Sequence, residues 1–525
     1  MILDLEEIYN EPVFTADICV IGTGAAGLMI ANEMAGTTHS VIFLESGGGG
    51  EESETQALYN VVTSGDPLPG ATEGRFRILG GSTTQWGGQG LPLMPIDFEK
   101  RDWVAHSGWP ISYDSLTPYY PKATQFMMVN AKDERGGLFS YAKSKPTDLD
   151  PSRVWYHFSR WSPRPNLRDT YLPMIKASKT MTLILHANVV DMGLTDDLTT
   201  VETVSIRSLG GQSATVKSKY VVICAGGIES ARVLLYCNRQ LPTGIGNHHD
   251  LVGRYFQDHP SAAVGTLVPT NRQDLSKYFN IFHRDSVKYS VRLTASPDWQ
   301  RATRSLNISA GITFDENQTQ LELIKSGFVA LRQGKLLDPR FLTAIGTMLR
   351  HPIQVGSPIY QYLVHSRSVS PHAKMRVGMT SEQAPDPESR IRLSTQRDAL
   401  GLPRADICWK IRSTTLSTMQ AYAEVLKSEL HRTGMGQLVL DPWISGEDDP
   451  NWRTHVTDQY HHMGTTRMAT SPTDGVVDLD SRVYGTTNLF VGSSSVFPTS
   501  GHSNPTLTLL ALCGRLADYL KGELG

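Results

Sequence analysis

Residues 16–45, ADICVIGTGAAGLMIANEMAGTTHSVIFLE, decide the fold. An apolar run at 18–21 enters the glycine-rich GTGAAG, residues with helical apolar spacing follow, and a second apolar run at 41–44 ends on Glu45. That order predicts strand, tight turn, helix and strand, one βαβ unit. Gly22, Gly24 and Gly27 have dinucleotide spacing: the first permits the tight turn, the second lets backbone approach a pyrophosphate, and the third lets the helix pack on the strand. The helix amino terminus at Ala25 and Ala26 then faces the phosphates, and Glu45 is placed for a ribose hydroxyl. NAD and FAD both fit this stretch.

Two distant segments share the same style. KYVVICAGGIESARVLLYCN (219–238) runs from an apolar strand through Ala225 and Gly226 into a helical pattern, and residues 486–520 give a strand, a loop around Gly492 and Ser493, and a last helix. A single α/β domain assembled from 1–100, 180–265 and 455–525 is therefore expected, with a second domain from 101–179 and 266–454. In the second, SRIRLS (389–394) and ADICWKI (405–411) alternate as strands of a half-exposed antiparallel sheet would. The basic segment 321–350 sets Lys325, Arg332, Lys335, Arg340 and Arg350 against Glu322 and Asp338. It reads as amphipathic helix, either a solvated face on a domain-packing helix or a lid or docking surface for a redox partner or membrane.

Composition narrows the class. With 525 residues, 40% hydrophobic and 19% charged, the chain has material for two or more domains and a sizeable core. A net charge of −3 gives no global bias toward nucleic acid or acidic membrane. Cys19, Cys224, Cys237, Cys408 and Cys513 are scattered without zinc or redox spacing and read as reduced core residues. The start MILDLEEIYNEPVF lacks a basic and apolar leader pattern, and no apolar run approaches membrane-spanning length, so the cytoplasm is the expected compartment.

The stretch 77–120 turns the cofactor reading toward flavin. Gly80, Gly81, Gly87 and Gly88 surround Trp86, and such backbone suits a segment laid against a flat ring system. Together with SGWPISYDSLTPYY, CAGGIESARVLL, LVGRYFQDHP, YHHMGTTRM and SGHSNPTLTL, the chain resembles the glucose-methanol-choline (GMC) oxidoreductases over nearly its whole length. Within them it looks most like the pyranose oxidase and bacterial glycoside-oxidising (C-glycoside 3-oxidase-like) branch; Ser493 in LFVGSSSVFPT stands where many relatives carry Asp. The resemblance implies a Rossmann-like α/β FAD-binding domain of glutathione-reductase type and an α+β substrate domain with an antiparallel sheet. It implies FAD held by the fingerprint and Glu45, by a backbone contact near Val189, by Ser82, Thr84, Gln85 and Trp86 of GGSTTQWGG, and by Pro505 and Thr506. Fungal pyranose oxidases carry a flavin-linking histidine where Gln85 stands here, and an amide cannot form that link, so the expected FAD is non-covalent.

The resemblance also separates the histidines of 458–468, DQYHHMGTTRM. His461, after Tyr460, takes the place of the catalytic base, and Asn504, seventh counting from Pro498, that of the second catalytic side chain. His462 is a neighbour, His502 falls beside the catalytic position, and His259 in FQDHP is structural or direct. Adjacent histidines point apart on a strand, and no carboxylate partner pattern lies near, so no metal is expected. Independently, Asn504 fits a helix N-cap and Pro505 a first helical position, which would aim a positive helix end at whatever Asn504 touches. Trp103, Trp109 and Tyr113 either stack a sugar ring or pack. The expected reaction is oxidation of a secondary alcohol of a sugar or glycoside, with O2 or a quinone as acceptor. An aminoglycoside or other natural-product alcohol dehydrogenase is the alternative, and a non-redox lyase of the same fold a further one.

Overall fold

The computed structural model describes residues 1–129, 138–141, 147–315, 374–446 and 449–525, with Pro339, Thr343 and Gly346. The basic segment read at 321–350 lies, apart from those three residues, outside the described ones.

The apolar runs of the opening stretch are strands. In chain order the first sheet is built from β1 (Ile2–Asp4), β2 (Val13–Ile21), β3 (Val41–Leu44), β4 (Met181–Leu185), β5 (Asn188–Leu194), β6 (Val201–Arg207), β7 (Ser213–Ile223) and β8 (Leu489–Val491). Across the sheet the order is β1-β4-β3-β2-β7-β6-β5, with β8 pairing the end of β7. Pairs from β1 through β7, and β7 with β8, are parallel; β7-β6 and β6-β5 are antiparallel. Residues 18–20 are fully buried, as are Val222 and Ile223 beside them. A continuous apolar run, rather than an alternating one, is what a strand covered on both faces requires. Helices α1 (Ala25–Met34), α2 (Gly226–Tyr236) and α3 (Thr506–Leu524) follow β2, β7 and β8. Because those three strands are parallel neighbours, their carboxyl ends and the turns that leave them share one sheet edge, where ligands of open α/β sheets bind.

The second sheet is wholly antiparallel in its pairings. Its order is Gly436–Leu440, Ser261–Pro269, Lys374–Ser381, Ile308–Asp315, Val287–Ala295, Val154–Trp161 and Gln89–Gly90, with Phe282–Arg284 paired to Val287–Ala295. The strand at Ser261–Pro269 and the short one at Gln89–Gly90 thus belong to this sheet although their neighbours in sequence serve the first. Arg390–Arg397 and Pro403–Trp409, the alternating stretches, pair antiparallel but form a separate three-stranded sheet with Val62–Gly65. Ala405, Ile407 and Trp409 are buried while Asp406 and Cys408 between them are half-buried, the alternation expected of a sheet with one covered face.

All five cysteines are free thiols; four are buried and Cys408 half-buried. Among the described residues, no helix is long and apolar enough to cross a membrane. Trp103 donates to the Ser305 carbonyl (3.0 Å), Trp109 to Thr499 Oγ1 (2.9 Å), and Tyr113 meets Phe98 edge-on (5.5 Å), so each of the three makes contacts within the protein.

Candidate active site

A cavity of about 730 Å³ runs along the shared strand ends, from Glu45 and Val189 past the glycine turn to His461 and Asn504. Gly22 has φ 103°, the left-handed region, and a Cβ there would lie 2.6 Å from the Cys224 carbonyl. The turn therefore requires glycine. Helix α1 opens with Gly24 as N-cap and no side-chain cap, and a Cβ on Gly24 would meet nothing within 4 Å. Uncapped N–H groups and an open backbone thus face the cavity, the donor set a pyrophosphate needs. Gly27 lies off the wall; its Cβ would sit 2.1 Å from the Gly22 carbonyl, so it lets the helix press on the turn.

Glu45 is buried and anchored. Oε2 accepts from the Thr23 amide (3.1 Å) and hydroxyl, and Oε1 from the Gly47 amide (3.0 Å). Burial lifts its carboxyl above the ordinary range against those bonds. The Val189 carbonyl already accepts the Tyr236 hydroxyl at 2.6 Å. Of the glycine-rich loop, Gly81, Ser82, Gln85, Trp86, Gly87 and Gly88 line the cavity. Gly80 and Thr84 do not: Gly80, at φ 93°, turns the chain against Arg168, and Thr84 Oγ1 donates to the Gly81 carbonyl at 2.9 Å. Thr83 takes the wall instead, with Ala25, Ala26, Ala225, Gly226, Gly492, Ser493, Pro505 and Thr506.

Sequence reasoning missed a buried ionic cluster on the same wall. Glu229 meets Arg75 (2.8 Å), Arg77 (2.9 Å) and Arg232 (3.0 Å), and Arg232 also meets Asp398 (2.5 Å). Burial alone would raise the Glu229 carboxyl, yet the three guanidiniums hold it at about 2. Arg75 and Arg77, two positions apart, both reach Glu229, and the Tyr59 ring lies under both. That two-residue spacing is the only signal the sequence offered; their carboxylate comes from more than 150 positions away.

At the other end one carboxyl organises the histidines. Asp258 Oδ1 accepts the backbone N–H of His259 (2.6 Å) and Gln459 (3.0 Å), and Oδ2 that of His461 (2.9 Å). Tyr460, at φ 61°, makes the bend before His461. The side chains then form a chain of contacts: Ser500 carbonyl to His259 Nε2 (3.3 Å), His259 Nδ1 to His461 Nδ1 (2.9 Å), and His461 Nε2 to Asn504 Nδ2 (3.1 Å). Polarity follows from the two ends. A carbonyl only accepts, so His259 carries its proton on Nε2; with His259 neutral its Nδ1 accepts, so His461 carries its proton on Nδ1. The lone pair of His461 is then on Nε2, facing the amide N–H of Asn504 and the cavity. Burial, then the neighbouring His259, His462 and Arg292, push His461 well below the ordinary imidazole value, and burial pushes His259 down to about 4. Both rings are neutral near pH 7.

The adjacent His462 stands apart from this chain. Its ring stacks on Phe256 (5.8 Å between centroids), its Nε2 lies 3.8 Å from Asp258, and burial brings it to about 3. Asn504 departs from its expected capping role. Helix α3 begins at Thr506 with Pro505 as N-cap and no side-chain cap, and the Asn504 Nδ2 contacts His461 Nε2 instead. The uncapped end of α3 still faces the cavity through Pro505 and Thr506.

The comparisons agree with this architecture. Residues 385–513 match the family model described as GMC oxidoreductase. The fructose dehydrogenase large subunit of Gluconobacter japonicus is 24% identical over 98% of this chain and 99% of its own length. Paromamine 6'-oxidase of Streptomyces fradiae is 21% identical over 97% and 92%. Among solved structures, a formate oxidase superposes with a TM-score of 0.57 at 14% identity, covering 98% of this chain and 99% of that one. With its strand-end cavity, its glycine cradle, the family-model match at 385–513 and a likeness to these oxidases and dehydrogenases over nearly its full length, the chain is similar to the GMC oxidoreductases, FAD-binding enzymes that oxidise alcohols.

Proposed function

We propose that the protein oxidises a secondary alcohol of a sugar or glycoside to the ketone, with His461 as base and Asn504 as its partner on the hydroxyl. The observation that carries the reading is the fixed tautomer: His461 Nε2, unprotonated, 3.1 Å from the Asn504 amide at the cavity wall. An alcohol oxygen entering between them donates its O–H to Nε2 and accepts an N–H from Asn504, leaving the carbinol C–H as the bond to break. FAD, when bound, supplies the hydride acceptor. The residues present fit it: the open face of Gly24 and the uncapped start of α1 suit a pyrophosphate, Glu45 a ribose hydroxyl, and the uncapped start of α3 an electron-rich ring edge. Gln85, at the wall, offers no ring nitrogen for a flavin bond, which supports non-covalent binding. We assign the cofactor to the unit of 1–100, 180–265 and 455–525, and substrate selection to 101–179 and 266–454.

Sugars lead because the fructose dehydrogenase subunit matches over nearly all of both chains. The comparably long match to paromamine 6'-oxidase favours an aminoglycoside or other natural-product alcohol as the second reading. The test is anaerobic mixing of the holoprotein with sugars, glycosides and aminoglycosides while the flavin absorbance is followed. Bleaching by a sugar or glycoside is expected, with recovery on adding O2 or a quinone. Conversion of an alcohol while the flavin stays oxidised throughout would overturn it in favour of lyase chemistry.

A further inference from the structure

The second sheet turns a polar face toward the catalytic histidines, and its centre is Arg292. In strand Val287–Ala295, Arg292 sits directly across from His157 on one side and Gly311 on the other, and Gly311 in turn faces Gly378. Cross-strand neighbours share a face, so these four residues form one row. Neither glycine is in the left-handed region; a Cβ on Gly311 would meet only the Arg292 guanidinium carbon at 3.9 Å, and one on Gly378 only the Ala262 carbonyl at 3.8 Å. Two missing side chains thus leave open space beside the guanidinium, a bay in which an added Cβ would make only ordinary contacts. His157 packs edge-on to His502 (5.5 Å), in the loop that carries Ser500 and Asn504, so this is the face toward His461.

Arg292 is held but not neutralised. Its Nε donates to Ser309 Oγ (3.1 Å) and its Nη2 to Thr380 Oγ1 (3.1 Å). Buried Arg75, Arg101 and Arg232 each meet a carboxylate; among the described residues Arg292 meets none. Two hydroxyls fix the plane of the fork, and among the described residues its Nη1 meets no hydrogen-bond partner. Among the described residues, His502, 4% exposed, has both ring nitrogens unpartnered, and Ser503 Oγ beside it is unpartnered as well. A cation out of water without a counter-charge is costly, and a planar fork with one edge free matches an oxyanion bidentately.

We propose that the bay beside Arg292 receives an oxyanion, a carboxylate or phosphate, carried on the substrate whose hydroxyl meets His461 and Asn504. The inference rests on the alcohol-oxidation reading and narrows its substrate to acidic sugars or glycosides. The same positive charge helps keep His461 unprotonated. An oxyanion seated on Arg292 offsets part of that influence and makes His461 a stronger base when the correct substrate is bound.

The test uses His461→Ala holoprotein, in which binding is read without turnover, titrated calorimetrically with methyl β-D-glucuronide, glucose 6-phosphate and methyl β-D-glucoside. At least one charged sugar is expected to bind about tenfold or more tightly than the neutral glucoside, the effect of one charge-assisted contact. The tighter of the two identifies carboxylate or phosphate. Adding Arg292→Gln is expected to abolish the preference and leave the glucoside within about twofold, whereas Arg292→Lys, which keeps the charge, retains part of it. Equal affinity for charged and neutral sugars, or an Arg292→Gln variant that weakens all three alike, would overturn the proposal. So would a changed FAD midpoint potential in Arg292→Gln without added sugar, since it would direct the charge to the cofactor. Charge-selective binding alongside no bleaching by any alcohol would sink the reaction and keep the anion site; bleaching by neutral sugars with no charge preference would do the reverse.

Discussion

His259 and His461 are 202 residues apart, yet one carboxyl, Asp258, holds both backbones, and one ring decides where the other keeps its proton. Removing His259 frees His461 to protonate either nitrogen. His259→Ala is expected to lower the limiting rate on the order of 10- to 100-fold with FAD content unchanged, as loss of an outer partner commonly does. His259→Gln, whose amide can donate to Ser500 and accept from His461, is expected to recover most of it. An unaffected rate in the alanine variant would show that the relay is only structural. The pH profile belongs to the same residues. A base acts unprotonated and His461 lies well below 6.5, so kcat/KM is expected to stay flat through neutrality and fall only under acid conditions well below that value. An acid limb centred at 6.5 or higher would contradict the geometry. The family resemblance pointed to His461 and Asn504, and the structure brings their side chains to 3.1 Å. His259 was left undecided there, because no local pattern reveals that one carbonyl, at Ser500, fixes the protonation of two rings.

At the scale of elements, the site is made by three turns that leave parallel strands β2, β7 and β8. Two glycines in the first turn do different things, and substitution separates them. A side chain on Gly24 meets no protein atom within 4 Å but enters the cradle, so Gly24→Val is expected to lose FAD while the melting temperature of the apoprotein barely moves. A methyl on Gly27 strikes the Gly22 carbonyl at 2.1 Å, so Gly27→Ala is expected to cost about 1–3 kcal/mol of stability. Flavin absorbance per protein and thermal melts of both apoproteins read the contrast; equal melting temperatures would contradict it. These elements were legible because continuous apolar runs and glycine spacing are local signals. The small sheet was half legible: alternation announced strands Arg390–Arg397 and Pro403–Trp409 but not their partner at Val62–Gly65, more than 300 positions away. Propensity favours asparagine as the N-cap at 504, whereas α3 takes Pro505 as N-cap and the Asn504 Nδ2 meets His461.

At the scale of the molecule, the reaction needs the strand-end cavity of one sheet and the polar face of the other to keep a fixed distance. A fully buried pair, Arg101 with Glu382, ties the segment 97–101 to the second sheet with contacts of 2.7 and 2.5 Å; Glu382 also accepts the Asn307 backbone N–H at 3.1 Å, and the Asp97 carbonyl accepts the hydroxyl of Thr499, in the loop after β8, at 2.7 Å. Asn307 donates in turn to Asp97 at 2.6 Å, and Asp97 caps the segment leading to Arg101. The proposed chemistry converges on one atom, His461 Nε2. Its most direct test is anaerobic stopped-flow mixing of wild-type and His461→Ala holoproteins with an alcohol that bleaches the wild type. The variant is expected to hold FAD as the wild type does and to reduce it more slowly by on the order of 10²- to 10⁴-fold, the usual worth of a general base. Reduction at the wild-type rate would mean that the proton leaves by another route and that the central claim is wrong.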